Sequence, residues 1–299
     1  MNAVLFQHHL RRELSIAASA LTALREGQLL WLDARVRPIP RYGYGRPPHP
    51  LLYEIINRHR PAYRALLHRF LSFREAVLNI PLVSADPREP SWGGGNLWIP
   101  ALDALSLYAM LHLIHPRRYL EIGSGYSTRF ARRAVQDGRL STEIISIDPR
   151  PRVESEALCD RTIRCRLEDA DLQLFDELEA GDILFVDGSH RCFMNSDVTV
   201  LFLDILPRLR SGVIVHFHDI FLPYDYPPHW GKRYYSEQYL LAVWLLTGSH
   251  EMEIMLPNAF ISRDPELSRI LEPVWKEFRM REVNPQGASF WIRIVRTGG

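Results

Sequence analysis

Two short stretches pair an acid with an imidazole: Asp187-Gly-Ser-His190 and His218-Asp219. An imidazole titrates near neutral pH, so it can take a proton from a hydroxyl while a carboxylate beside it orients the ring. The same side chains offer oxygen and nitrogen donors, so Asp187 and Asp219 with an imidazole are also candidate ligands for Mg, Mn or a transition metal. Their spacing matches no recognised metal signature, which leaves metal-free acid–base chemistry as the competing reading. Each pair directly follows an apolar run, Asp182 to Val186 and Val213 to Phe217, that reads as a buried strand.

A third chemical feature lies upstream. Tyr119-Leu-Glu121-Ile-Gly123-Ser124-Gly125 reads as a strand ending in a glycine turn, and Tyr126 to Val135 reads as the helix that follows. Glycines there let the chain turn and let a ligand approach closely, and the helix start offers unpaired N–H groups to an anion. A dinucleotide fingerprint would need a third glycine where Thr128 stands, and no Gly-Lys-Ser/Thr follows for a P-loop. A second strand, Glu143 to Ile147, ends at Asp148. A third, Thr162 to Leu167, runs into Glu168-Asp169-Ala170. Five successive strands thus place acids or histidines at their carboxyl ends, where open α/β sheets bind ligands. For any one acid the plainer role is a helix cap or turn residue.

These residues resemble the class I S-adenosylmethionine-dependent methyltransferases over residues 96–299. The features that carry the likeness are Glu121-Ile-Gly-Ser-Gly125, then Asp148, Asp169-Ala170 and Asp187 in order after the next three strands. The resemblance implies an α/β, Rossmann-like seven-stranded methyltransferase sheet with helices on both faces and an antiparallel last strand. It further implies that Gly123, Ser124 and Gly125 face the methionine part of S-adenosylmethionine, with Glu121 and Ser127 holding its amino and carboxylate groups. Asp148 would take the ribose and Asp169, with Ala170, the adenine, and Asp187 is also counted among the cofactor residues. Asp187-x-x-His190 is also similar to the Asp-x-x-Lys of catechol-type and caffeoyl-coenzyme-A-type O-methyltransferases, where the acid binds a divalent metal and the lysine is the base. Here histidine replaces lysine, and His218-Asp219 replaces their Asp-Asn. The expectation is O-methylation of a small-molecule acceptor, with His190 as base, His218 as its rival, and Asp187 and Asp219 placing a metal or the hydroxyl. The alternatives are a non-catalytic cofactor-binding module and a nicotinamide oxidoreductase, the latter disfavoured by Thr128.

Other elements must position this machinery. Phe193 to Leu206 and Tyr235 to Leu246 read as helices, Met252 to Leu256 as a sixth strand, Asp264 to Phe278 as a helix, and Ser289 to Val295 as the last strand. Phe221, Tyr224, Tyr226, His229, Trp230, Tyr234 and Tyr235 crowd the loop after the fifth strand, suited to stacking on a sugar or aromatic acceptor. Residues 1–95 read as a mainly helical accessory arm. In it Leu10, Leu14, Ala17, Leu21 and Leu24 recur at helical spacing before Gly27, Pro38 to Pro50 is irregular, and Leu51 to Phe73 is helical with an interruption near Pro61. Such an arm can cap the substrate, form a homo-oligomer surface or simply pack.

Charge is balanced overall at +1, yet residues 1–70 carry eleven arginines against four acids. These arginines are dispersed among prolines and apolar residues, which argues against nucleic-acid binding. No run approaches the ~20 apolar residues of a membrane span. Three cysteines without C-x-x-C spacing suggest neither a disulfide framework nor a zinc site, so a cytoplasmic protein is expected.

Overall fold

The computed structural model describes Leu24 and residues 33–93, 98–248 and 251–296. The chain forms two compact units, Met1–Ile39 and Pro40–Gly299. Of the first, the described residues 33–39 are irregular chain. The expected helix over Leu10 to Leu24 lies outside the described residues except at Leu24.

The larger unit is built on a seven-stranded sheet in the order β3-β2-β1-β4-β5-β7-β6. The strands are β1 (Arg118–Ile122), β2 (Glu143–Ile147), β3 (Arg161–Ile163), β4 (Ile183–Val186), β5 (Ile214–Phe217), β6 (Met252–Pro257) and β7 (Phe290–Ile294). The first five run parallel, and β7 is antiparallel to both β5 and β6. This is the seven-stranded Rossmann-like sheet with an antiparallel last strand that the resemblance implies. β4 is apolar and buried at every position, as a strand covered on both faces must be. After β1 the chain builds outward to β2 and β3, then crosses back to β4. The order therefore reverses between β1 and β4, which opens a crevice at their carboxyl ends.

Helices cover the sheet. α1 (Pro50–Asn57) and α2 (Arg60–Phe70) each begin with a proline in the first turn, where its missing N–H costs no hydrogen bond. Their buried Leu52, Ile56, Tyr63, Leu67 and Phe70 share one apolar core with the strands. α3 (Ala101–Ile114) is buried from Ala101 to Leu111, which its nearly uninterrupted apolar sequence permits. Its one acid, Asp103, accepts hydrogen bonds from Ala288 N, Ser289 N, Ser289 Oγ and Asn258 Nδ2 at 2.8–3.1 Å. That network pins the entry to β7. α4 (Tyr126–Asp137) follows the glycine turn, and α5 (Glu237–Leu246) follows the aromatic loop.

Three sequence expectations need correction. The helix expected over Phe193 to Leu206 starts only at Asp197, because Asn195 takes a left-handed turn and Ser196 caps the helix. The helix expected from Asp264 to Phe278 is broken into Leu267–Ile270 and Glu272–Trp275, with Pro273 in the second piece. The third strand stops at Ile163, and Leu167–Asp169 form a 3-10 turn instead. α6 (Asn258–Arg263) was not foreseen.

The glycine turn generates a stability test. Gly123 has φ +81°, and a Cβ there would lie 2.3 Å from the Asp187 carbonyl oxygen, whereas a Cβ on Gly125 meets nothing within 4 Å. Chemical denaturation should therefore show Gly123→Ala destabilised by about 2–4 kcal/mol from strain and clash together. Gly125→Ala should stay within roughly 0.5 kcal/mol of the parent, the range of substitutions that touch nothing.

Candidate active site

The turn between β1 and α4 is held from three sides. Gly123 N donates to Ile147 O of β2 at 2.9 Å, and Asp187 N donates to Ile122 O at 3.0 Å. The Asp148 carboxylate accepts Ser124 N and Ser124 Oγ at 2.9 and 2.8 Å, and Arg150 N at 2.8 Å. Asp148 thus fixes the turn while remaining partly open to solvent.

Glu121 is fully buried, and hydroxyls close around it. Ser127 Oγ and Thr128 Oγ1 donate to its two oxygens, the second at 2.6 Å, and Tyr119 OH adds a 3.3 Å contact. Burial raises its pKa to about 7, against the lowering effect of the Ser127 and Thr128 hydroxyls. Glu121 therefore braces the start of α4 from beneath, and its carboxylate is not exposed in the crevice. Thr128 Oγ1 also accepts Gly125 N at 2.9 Å, so the residue standing at the dinucleotide third-glycine position has a capping task.

A cavity of about 90 Å³ opens above this turn, lined by Ser124, Gly125, Tyr126, Ser127, Asp187 and His218. Trp98 and Arg152 stand at it too, with the Arg152 guanidinium 5.7 Å from the indole centroid. Neither Asp169 nor Ala170 lines it; Asp169 ends the 3-10 turn after β3 and is exposed, and Ala170 follows it in extended chain.

The acid–imidazole pairs come together at the ends of β4 and β5. His190, buried and at φ +59°, places Nδ1 2.8 Å from Glu237 Oε2, and Nε2 3.2 Å from Asp187 Oδ1 and 3.6 Å from Asp219 Oδ2. Its carbonyl accepts Ser236 N and Glu237 N at 2.8 and 3.2 Å, so the start of α5 holds both ends of the residue. Burial alone would lower the His190 pKa, but hydrogen bonds and charges from Asp187 and Glu237 carry it well above the ordinary histidine value. For Asp187 burial acts upward, yet His218 and His190 outweigh it and hold the carboxyl at about 2. Asp187 is also the more open acid, with its side chain 37% exposed. Burial raises both Asp219 and Glu237.

His218 Nε2 lies 3.1 Å from the Trp98 carbonyl, and its Nδ1 is buried without a partner. Burial lowers its pKa, but Asp187, Asp219 and Asp103 together leave it raised. Between Asp187 and Asp219, the position expected for a metal is taken by the His190 ring edge. Among the described residues no group of three or more His, Cys, Asp or Glu side chains could hold a metal ion. The residues as arranged do not fit one.

Asp219 also faces a second cavity of about 450 Å³, walled by Trp98, Phe221, Pro227, His229, Trp230 and Arg233. The Arg233 guanidinium stacks 3.9 Å from the Trp230 ring centroid. Of the other loop aromatics, Tyr226 and Tyr235 support Trp230 from behind, while Tyr224 packs against Gly43 and Arg263. The loop is tied down by Asp225, which accepts Arg41 N and Tyr42 N at 2.5 and 2.9 Å. Trp98 borders both cavities.

Residues 120–220 match the family model of a methyltransferase domain. That stretch holds the end of β1, all of β4 and β5, the glycine turn and both acid–imidazole pairs. No curated protein matches the sequence significantly. Solved structures with a distant likeness include a Podospora anserina methyltransferase bound to SAH, 18% identical over 64% of this chain and 78% of that one, with a TM-score of 0.39. A Bacillus cereus O-methyltransferase in complex with SAH is 14% identical over 78% of this chain and 91% of that one, at TM-score 0.38. Cofactor-bound Rv0187 from MTB is 14% identical over 80% and 91%, at TM-score 0.41.

Sequence reasoning missed Glu237, Trp98 and Arg152. Glu237 stands 47 residues from its partner at the start of a helix, where an acid is ordinary. Its role is testable by histidine ring NMR. His190 should titrate above the ordinary histidine value near 6.5, and Glu237→Gln should lower that midpoint, because a neutral amide no longer favours the imidazolium.

Proposed function

We propose that this protein transfers a methyl group from S-adenosylmethionine to a hydroxyl of a small, flat, ring-bearing acceptor. The observation that carries the reading is the meeting of two cavities at one charged cluster. Asp187 and His218 line the cavity on the glycine turn, Asp219 lines the aromatic one, and the His190 ring lies between the two acids. The match of residues 120–220 to a methyltransferase domain supports the same chemistry.

Part of the expected cofactor set supports such a ligand. Gly125 leaves open space where a side chain would stand, and the first turn of α4 presents N–H groups to a carboxylate. Asp148 remains the candidate for the ribose, Asp169 and Ala170 for the adenine, and Glu121 and Ser127 act by shaping the methionine end. When bound, S-adenosylmethionine supplies a methyl on a sulfonium, an electrophile already activated.

The chain itself must then align the acceptor and accept a proton. Phe221, His229 and Trp230 offer faces on which a ring can stack, and Trp98 closes the join between the cavities. Glu237 orients the imidazole through Nδ1, so Nε2 is the nitrogen that exchanges a proton with the hydroxyl. The surrounding carboxylates make that nitrogen a stronger base and favour its protonated form. Activity should therefore rise with pH through the raised His190 pKa, and Glu237→Gln should move that limb toward acid. If His218 or Asp219 were the base, the limb would not follow Glu237. We further take the arm from Pro40 onward to serve the acceptor side, since the Arg41–Tyr42 backbone holds the aromatic loop in place.

Cofactor class is checked by melting temperature: S-adenosylhomocysteine should stabilise the protein and NAD should not. Gly125→Val should abolish that shift while the unliganded protein melts normally. Stabilisation by NAD alone would favour an oxidoreductase instead.

Once an acceptor is found, His190→Gln should lose about 10²–10⁴-fold in turnover, the range for removing a general base, with S-adenosylhomocysteine affinity unchanged. Turnover indifferent to chelator is expected. Loss with chelator and rescue by a divalent ion would assign Asp187 and Asp219 to a metal. Cofactor binding without turnover of any hydroxylated ring compound would favour a non-catalytic module.

A further inference from the structure

Arg129 is a largely buried cation that forms no ion pair among the described residues, although the Asp86 carboxylate, itself paired with Arg88, feels its charge. The residue is 9% exposed, its Nε has no hydrogen-bond partner, and its guanidinium rests on the Tyr126 ring 4.1 Å from the centroid. A cation–π contact offsets only part of the desolvation of such a group. The nearby arginines differ. Arg88 pairs with Asp86 at 3.1 Å, Arg132 with Asp160 at 2.8 Å, and Arg133 with Asp137 at 2.8 Å and Glu89 at 3.4 Å. All four line one cavity of about 570 Å³ that shares no lining residue with either cavity of the candidate active site. Every acid in its wall already has an arginine, and Arg129 is the charge left over.

We propose that this cavity binds a phosphate group, free or carried on a small molecule, with Arg129 as its principal partner. A planar guanidinium presents paired N–H donors to an oxyanion. Arg132 and Arg133, one turn further along α4, add positive potential on the same side. An anion there also meets the one unpaired charge without breaking the existing ion pairs. The ligand class follows from that charge and from the donors, and it does not depend on what the crevice at β1 and β4 binds.

Calorimetric titration of the full chain, saturated with S-adenosylhomocysteine, separates the outcomes. Inorganic phosphate should bind wild type, and Arg129→Gln should weaken it at least about tenfold, as expected for losing charge-assisted hydrogen bonds. Glycerol phosphate binding more tightly than inorganic phosphate would point to a phosphorylated small molecule, and the reverse to the free anion. In phosphate-free buffer Arg129→Met should melt above wild type, because an unpaired buried cation has been removed. If the Arg129 variants do not fold, Arg132→Gln should weaken phosphate in the same titration. The proposal is overturned if phosphate fails to bind, binds the variants as tightly, competes with S-adenosylhomocysteine, or is matched by acetate at equal ionic strength.

Discussion

Everything at this site depends on how closely the glycine turn approaches the end of β4. The Asp187 carbonyl occupies the space that a Cβ on Gly123 would need, and Asp187 N bonds back to Ile122. That contact locks the end of β1 to the residue that begins the charged cluster. The cavity on the turn and the acids beside it therefore share one rigid frame. A side chain at position 123 would force the two strand ends apart, so the glycine is demanded first by the protein itself.

The second constraint is electrostatic. One imidazole, His190, sits among three carboxylates in a region largely shielded from water, where charges act more strongly than at the surface. Protons in such a cluster belong to the group as a whole, and the Nδ1–Glu237 contact shares one of them. Asp187, the most open of the acids, stays ionised, while burial pushes Asp219 and Glu237 toward the neutral form. The cluster thus holds one ionised acid on its more open side and two acids whose burial disfavours their charge.

Supports farther away keep this cluster in place. Asp103 on α3 collects four hydrogen bonds from α6 and the start of β7, which fixes the wall of the aromatic cavity at Gly287 and Ala288. Gln238, next to Glu237, accepts Phe221 N at 2.9 Å and so ties α5 to the aromatic loop. Arg41 and Tyr42 hold the same loop through Asp225. The aromatic wall is therefore positioned by segments from both sides of the sheet sequence.

The sequence by itself determined the central strands, the order of the acids that follow them and the glycine turn, because these are local: apolar runs of strand length ending in polar residues, with glycine where the chain must reverse. The helix breaks at Asn195 and Pro273 were also written locally, in an asparagine able to turn left-handed and a proline, yet longer apolar periodicity masked them. What the sequence could not determine were the long-range partnerships. Glu237 meets His190 only because α5 returns across the end of β4, and Trp98 joins two cavities only through the fold. The buried state of Glu121 was equally hidden, since the identity of an acid does not say whether hydroxyls or a ligand will face it. Charge state follows from neighbours and from exclusion of water, and only the tertiary structure supplies both.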